Sequence, residues 1–412
     1  MNDLQSMADD ALLEIVQRQT FRYFWDGAHP ISGMARDRQT LTPRLDNDLI
    51  AIGGTGFGIM GIVVAIERGW IGRDDGVDRV DRITSFLERA SRYHGMFPHF
   101  IDGRTGQTIR FTRDDDGGDC VETALLFQGL LCARQYLTRK AASETRLRER
   151  IDRLWRTIEW DWYCRREEVL FWHWSLGKGW AMECPVSGWN EGLLPYVLAS
   201  GSSTHPIGAS AYHRGFARMG QMANGGSFYG IDLPLGPDFG GPLFLAQYAF
   251  CGLDPRRLRD RYAHYWEQNV SHTRINYEHC ALNPHGHVGY GPDCWGLTSG
   301  HGPFGYVAHS PSDDRGVITP SAALSSLPYT PAESMRALRF FFSKPQHRIW
   351  GNFGFVDSFC ENLGWFARTH LAINQGPIIA MIENHRSGML WELFMSAPEV
   401  REGLRRLDFV QA

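Results

Sequence analysis

The sequence has no long apolar run, no basic excess and no cysteine framework, and each absence removes a class of protein. No stretch of the 412 residues approaches the roughly 20 consecutive apolar side chains of a membrane-spanning helix. The 42 Lys and Arg are outnumbered by 46 Asp and Glu, giving a net charge of -4, so the basic footprint of a nucleic-acid-binding protein is missing. Neither nucleic acid nor a membrane is an expected partner. The 8 cysteines show no paired spacing and no Cys-x-x-Cys, and many sit among apolar residues, as free buried thiols do. The N-terminal stretch is acidic and lacks the charged and apolar regions of a signal peptide. These features favour a reducing compartment. The expected location is the cytoplasm as the sequence stands, or the periplasm if a leader has been removed. No Gly-x-Ser-x-Gly elbow occurs, no Ser/Pro-rich linker marks a boundary, and no repeat is visible from one helical pair to the next. One domain over residues 1–412 is expected.

What is present is helix, aromatic loop and clustered acid. With 43% hydrophobic residues the chain can bury a large core. Helical periodicity predicts helices near 7–26, 54–68, 76–92, 119–138, 143–162, 191–199, 210–222, 242–251 and 255–276, and again near 319–327, 331–343, 359–369, 376–385 and 398–407. Strand is confined to small hairpins at 97–111 and 169–183. Short connections alternate with long, chemically loaded loops such as 283–316. That asymmetry predicts an all-α fold, a closed α/α barrel with its long loops at one end. Many of the 14 Trp lie in Gly/Pro-rich loops rather than on helical faces. Aromatic loops beside carboxylates suit a cleft that stacks flat sugar rings, although such loops also fold back and pack on the domain.

The densest chemistry is at 114–122, Asp114-Asp115-Asp116-Gly117-Gly118-Asp119-Cys120-Val121-Glu122, where a Gly-Gly break precedes an apolar helix. Asp119 can cap that helix and Glu122 can complete a capping-box-like pair. Capping accounts for two of the five acids, so a functional cluster is expected here. Asp115-Asp116-Gly117-Gly118-Asp119 also fits the Asp-Asp-x-x-Asp magnesium motif of isoprenoid cyclases, but that motif normally lies within a helix. Cys280, His285, His287, Cys294 and His301 invite a zinc reading, yet their spacing fits no ligand pattern. Histidines that hydrogen-bond substrate or backbone are the expectation there. Glu191 opens a helix after Ser187-Gly188-Trp189-Asn190, and an acid beside Trp has the raised pKa that proton donation requires. A helix-start acid favoured by the dipole is the plain alternative. Asp357 and Glu361 again place acids among aromatics, and Glu383 has Arg386 close by to neutralise it.

Six segments, taken in order, resemble the glycoamylase-like family, which includes bacterial endo-β-1,2-glucanases. They are Gln19-Thr20-Phe21-Arg22-Tyr23-Phe24-Trp25, Gly33-Met34-Ala35-Arg36-Asp37-Arg38, the acidic stretch from Asp115 to Glu122, Gly188-Trp189-Asn190-Glu191, Asn374-Gln375-Gly376-Pro377-Ile378 and Met381-Ile382-Glu383-Asn384-His385-Arg386-Ser387-Gly388. The resemblance runs over about residues 12–394. It implies an (α/α)6 barrel and inverting hydrolysis of linear or cyclic β-1,2-glucan, with endo action expected and exo action or a silent glucan-binding role as alternatives. It implies Glu191 as general acid, Asp115, Asp119 and Glu122 as the acidic cluster, and Asp357 as a further candidate base. Trp172, Trp180, Trp189, Trp295, Trp365 and Trp391 are then the expected sugar platforms. Arg36, Arg38, His99, His173 and His301, with Gln375, Glu383 and Arg386, are the expected polar contacts. No metal or cofactor is expected.

Overall fold

A computed structural model describes residues 7–41, 47–166, 168–344 and 346–411. The first six residues of the N-terminal stretch lie outside the described residues. Helices dominate, and the strands are short and mostly paired two by two. Along the chain the principal helices are α1 (Asp9–Trp25), α2 (Ile52–Glu67), α3 (Arg73–Leu87), α4 (Cys120–Tyr136), α5 (Ala142–Arg156) and α6 (Leu193–Gly201). They continue with α7 (Tyr265–Leu282), α8 (Pro320–Leu324), α9 (Pro331–Ser343), α10 (Ala372–Arg386), α11 (Met389–Ser396) and α12 (Pro398–Arg406).

Two kinds of helix are distinguished by their sequences. In α2, α4, α6, α8 and most of α10 nearly every side chain is buried, as expected for segments apolar on all faces. By contrast, α3, α5, α9 and α12 bury one stripe, such as Leu147, Ile151, Leu154 and Trp155 in α5. The buried helices neighbour one another: α2 packs on α4 and α10, α4 on α6, and α10 on α8. Of the short 3-10 turns between α6 and α8, Leu243–Ala246 and Ala249–Cys251 flank Gln247. Gln247 ties them to α8 through the Ala322 carbonyl, and Asn384 of α10 donates to the Cys251 carbonyl. The amphipathic helices lie outside, α3 and α5 against α2 and α4, and α12 against α6.

The crossing of α2 and α4 depends on glycine. A Cβ at Gly56 would come within 2.0 Å of the Leu125 carbonyl oxygen, and one at Gly129 within 2.0 Å of the Gly56 oxygen. The backbones touch there, which explains the glycines along a helix whose propensity they lower.

Three short strands run straight into buried helices: Leu49–Ala51 into α2, Gly118–Asp119 into α4 and Thr369–Leu371 into α10. Their partners are Phe100–Asp102, His173–Trp174 and Arg38–Thr40 respectively. The 97–111 hairpin is present, but the second hairpin forms differently. Val169–Leu170 pairs back to Cys164–Arg165, while His173–Trp174 pairs with the acidic stretch. Residues 359–369 form no α-helix, only a 3-10 turn at Glu361–Leu363. Phe359–Cys360 pairs with Trp365–Phe366 around Gly364, whose φ of 58° turns the chain, and aromatic residues pack well on strands. The span 210–222 is broken by left-handed Met219, and 255–276 begins only at Tyr265.

All 8 cysteines are unpaired, and seven of them are buried. Among the described residues, no helix is long and apolar enough to cross a membrane.

Candidate active site

The three strand-to-helix junctions and the turn that leads into α6 bring the N-terminal ends of α2, α4, α6 and α10 to one place, and a cavity of about 290 Å³ opens there. Ala51, Glu122, Glu191 and Leu371 come from these junctions, while His99, Phe111, Trp172 and Tyr306 reach in from the loops and hairpins. Helix N-termini carry partial positive charge, so this end of the molecule favours carboxylates.

The acidic stretch divides its work. Asp119 is fully buried and caps α4, its Oδ1 accepting from the Val121 and Glu122 amides at 2.9 Å each. Its Oδ2 accepts from His99 Nδ1 and Trp172 Nε1, both at 3.2 Å. Glu122, one turn on, takes the Gly53 amide on Oε2 at 2.7 Å and leaves Oε1 4.0 Å from His99 Nε2. Burial raises the Glu122 carboxyl to about 7, against the opposing pull of His99. For His99, burial works to lower the pKa, but the charges of Glu122, Asp119 and Asp115 outweigh it and raise the imidazole to about 10. His99 is therefore an imidazolium at neutral pH, its ring stacked on Phe111 at 4.4 Å. Asp115 is buried beside them and raised to about 6 by burial and then by Asp119.

Gly117 and Gly118 allow the stretch to press against its partner strand. A Cβ at Gly117 would meet the Trp174 oxygen at 2.0 Å, and one at Gly118 the Tyr163 hydroxyl at 2.2 Å. Asp116 points away to Lys178 Nζ at 2.8 Å. Asp115, Asp116 and Asp119 therefore do not converge as a magnesium motif requires. A His99, Asp115 and Asp119 group does lie close enough to hold an ion. However, Asp119 already accepts two hydrogen bonds on each oxygen, two of them from amides of its own helix, which leaves no lone pair directed at an ion.

Glu191 lines the same cavity as Glu122. Burial, with smaller contributions from the Asp119 and Glu122 charges, raises its carboxyl to about 7. Asp357 is buried just behind the wall, its oxygens taken by Asn374 Nδ2 and the His301 amide, both at 2.7 Å. His301 receives Arg38 Nη1 on Nε2 at 3.3 Å and so donates through Nδ1 to Thr369 at 2.8 Å. Tyr306 lines the cavity too, and burial, then the charge of Asp357, pushes its phenol up.

Several residues expected to hold sugar are elsewhere. Trp295 and Trp391 are core residues, their indole N–H groups donating to the Glu333 and Phe250 carbonyls. Trp189 is buried between Phe250 and Tyr265. Trp180 packs on Phe171 and Tyr163, and Trp365 pairs with Cys360 on the 359–366 hairpin. Arg36 is buried and donates to the Gly27, Ala28 and Asn47 carbonyls. His173 accepts the Asp116 and Gly117 amides and holds the acidic loop in shape. Gln375 bonds the Phe355 carbonyl, Glu383 pairs with Arg68, and Arg386 pairs with Asp10 and Glu14. Each is a large or polar side chain whose partners are backbone or another element, which loop composition does not reveal. Conversely, Asp37, Phe244, Tyr248 and Ser299 line the cavity without having been singled out. Asp37 carries a signal in its sequence, an acid between two arginines in a quoted segment.

Residues 183–398 match the glycoamylase family model, described as "Putative glucoamylase". An endo-β-1,2-glucanase from Chitinophaga pinensis, solved with sophorotriose and glucose, is 48% identical and superposes with a TM-score of 0.96 over 98% of this chain and 99% of that one. A β-1,2-glucanase from Parabacteroides distasonis is 42% identical with a TM-score of 0.93, over 98% of this chain and 60% of that one. A curated relative from the same organism, an exo β-1,2-glucooligosaccharide sophorohydrolase acting at the non-reducing end, is 42% identical over 98% of this chain, which spans 59% of its length. With the family model matched over more than half of the chain and a relative 48% identical over nearly its whole length, the chain belongs to the glycoamylase family.

Proposed function

We propose that the protein hydrolyses β-1,2-glucan with inversion at the anomeric carbon, on a single (α/α)6-barrel domain. The observation that carries this reading is the pair Glu191 and Glu122 on the walls of one aromatic cavity. Support for the barrel comes from the ring of contacts among the buried helices, which returns from α10 to α2. Support for the substrate comes from the relatives, both endo and exo, that act on this linkage.

Inverting hydrolysis needs a protonated acid on the glycosidic oxygen and a carboxylate that activates water across the ring, commonly about 6.5–9.5 Å apart. Glu191, held neutral by burial up to about pH 7, is the proton donor. Glu122 offers the base: Oε2 is anchored by Gly53 and Oε1 remains for a water. Asp119 and His99 fix its neighbourhood, and Trp172 and Phe111 present apolar faces to the sugar. Asp357, buried behind the cavity wall and held by the His301 amide and Asn374, is a second base candidate that would reach water through a substrate hydroxyl.

Incubation with long linear β-1,2-glucan and sizing of the products tests the reading. A ladder of oligosaccharides at early times is expected for endo action. A single disaccharide from the outset would replace it with the exo reading. No cleavage of this linkage, with glucan bound intact, would leave only a binding protein.

A further inference from the structure

A second cluster of metal-ligating side chains lies apart from the cavity-lining residues, where the C-terminal end of α7 meets two loops. His279 sits on the last turn of α7, His285 and His287 on the loop that follows, and Asp314 on the segment between the 299–308 hairpin and α8. Donor atoms of His279, His285 and Asp314 all lie within 4.8 Å of one another. His279 Nε2 is 2.9 Å from Asp314 Oδ2, and both side chains are almost wholly buried. His285 is exposed and carries no hydrogen bond among the described residues.

The surroundings orient these groups as a ligand set. Tyr229 hydroxyl bonds His279 Nδ1 at 2.8 Å, which directs Nε2 towards Asp314. Asp314 Oδ1 is already occupied by Tyr290 hydroxyl at 2.8 Å and the Gly316 amide at 3.0 Å, which leaves Oδ2 as the ligating oxygen. Asn362 accepts the Val288 amide through its oxygen, so its NH2 faces His287 Nδ1 at 2.8 Å. His287 therefore carries its proton on Nε2, a buried atom without a hydrogen-bond partner, 3.5 Å from Asp314 Oδ1. It is a supporting donor rather than a ligand. Metal-binding histidines and carboxylates are typically held by such outer hydrogen bonds.

We propose that His279 Nε2, His285 and Asp314 Oδ2 bind a divalent transition ion, zinc by the chemistry of its donors, and pin the chain leaving the 299–308 hairpin to α7. Two imidazoles and one carboxylate suit zinc, with water as fourth ligand, whereas calcium and magnesium need more oxygens. Zinc bonds of about 2.0–2.1 Å place tetrahedral ligand atoms roughly 3.3 Å apart, so the exposed His285 closes in while His279 and Asp314 part slightly. The ion takes the place of the proton between His279 Nε2 and Asp314 Oδ2; that proton moves to Nδ1, where the Tyr229 hydroxyl oxygen accepts it, so the ligating imidazole stays neutral. Of the residues whose sequence invited a zinc reading, only His285 and His287 belong here. Cys280 and Cys294 lie in the hydrophobic core and His301 beside the cavity.

The test uses the intact protein stripped with chelator and titrated with ZnCl2, followed by chelator-dye competition and by thermal melting. One tightly held zinc per chain and a Tm that rises with zinc are expected, with no rise in MgCl2 or CaCl2. His285→Ala, at an exposed position that does not threaten folding, should weaken zinc binding at least tenfold and abolish the Tm rise. Asp314→Asn should do the same. Failure of zinc to bind stoichiometrically, equal binding by the His285→Ala protein, or a Tm rise with calcium or magnesium in place of zinc would each overturn the proposal. None of these readouts depends on glucan cleavage.

Discussion

At the scale of single residues, the site is governed by how burial and charge distribute protons among five carboxylates and one histidine. Glu191→Gln keeps the shape and removes the transferable proton, so turnover should fall by about two to four orders of magnitude with the circular dichroism spectrum unchanged. Glu191 must be protonated and Glu122 ionised, and both are raised to about 7, so kcat against pH should be bell-shaped and fall on either side of a maximum near 7. The same shift affects stability. The folded protein keeps a proton that the unfolded chain loses near 4.5, so stability is lost as pH rises from 4.5 towards 7. Glu191→Gln should therefore melt above the wild type at pH 8 and level with it near pH 4. Glu122→Gln and Asp357→Asn separate the two base candidates. If Glu122 activates the water, its variant abolishes turnover at unchanged fold, whereas Asp357→Asn retains measurable turnover. The reverse ranking would assign the base to Asp357. Asp119 and Glu122 were legible as a pair at a helix start, and His99 as a nearby polar group. That His99 neutralises both could not be read, because the three meet only when the Phe100–Asp102 strand pairs beside α2.

At the scale of elements, the strand-to-helix junctions are what aim the chemistry. The α2–α4 crossing holds Gly53 and Glu122 in contact, and it exists because glycines let the backbones meet. Gly129→Ala should cost about 3 kcal/mol or more, since the obstructing atom is backbone and cannot move aside as a side chain would; denaturant melts measure it. The 299–308 hairpin carries Tyr306 over the cavity with Phe304 at its tip, 93 % exposed. Tyr306→Ala should raise KM for glucan several-fold at nearly constant Tm, because the residue is itself 54 % exposed. Helix existence was legible wherever apolar period was strong, as in α5 and α12. It failed at 359–369, where an aromatic run fits either a strand or a buried helix and Gly364 settles the matter by turning the chain.

At the scale of the whole molecule, the N-terminal ends of the buried helices α2, α4, α6 and α10 meet at one cavity, where Asp37, Glu122 and Glu191 gather. The proposed division of labour between Glu191 and a base across the sugar ring predicts one stereochemical outcome. The first product released from β-1,2-glucan should be the α-anomer by early-time NMR, mutarotating afterwards; an initial β-product would overturn inversion.

The amino-acid order alone determined a helix-rich protein, the acidic stretch at 114–122 and the position of Glu191 beside Trp189 at a helix start, because those are local matters of period, capping and composition. Which tryptophans face sugar and which fill the core was decided only by packing, since an indole buried against Phe250 and one lining a cavity look alike in a loop. The same holds for charge: Glu383 ends an apolar run and Glu122 opens one, and only the fold gives the first an arginine and the second a cavity.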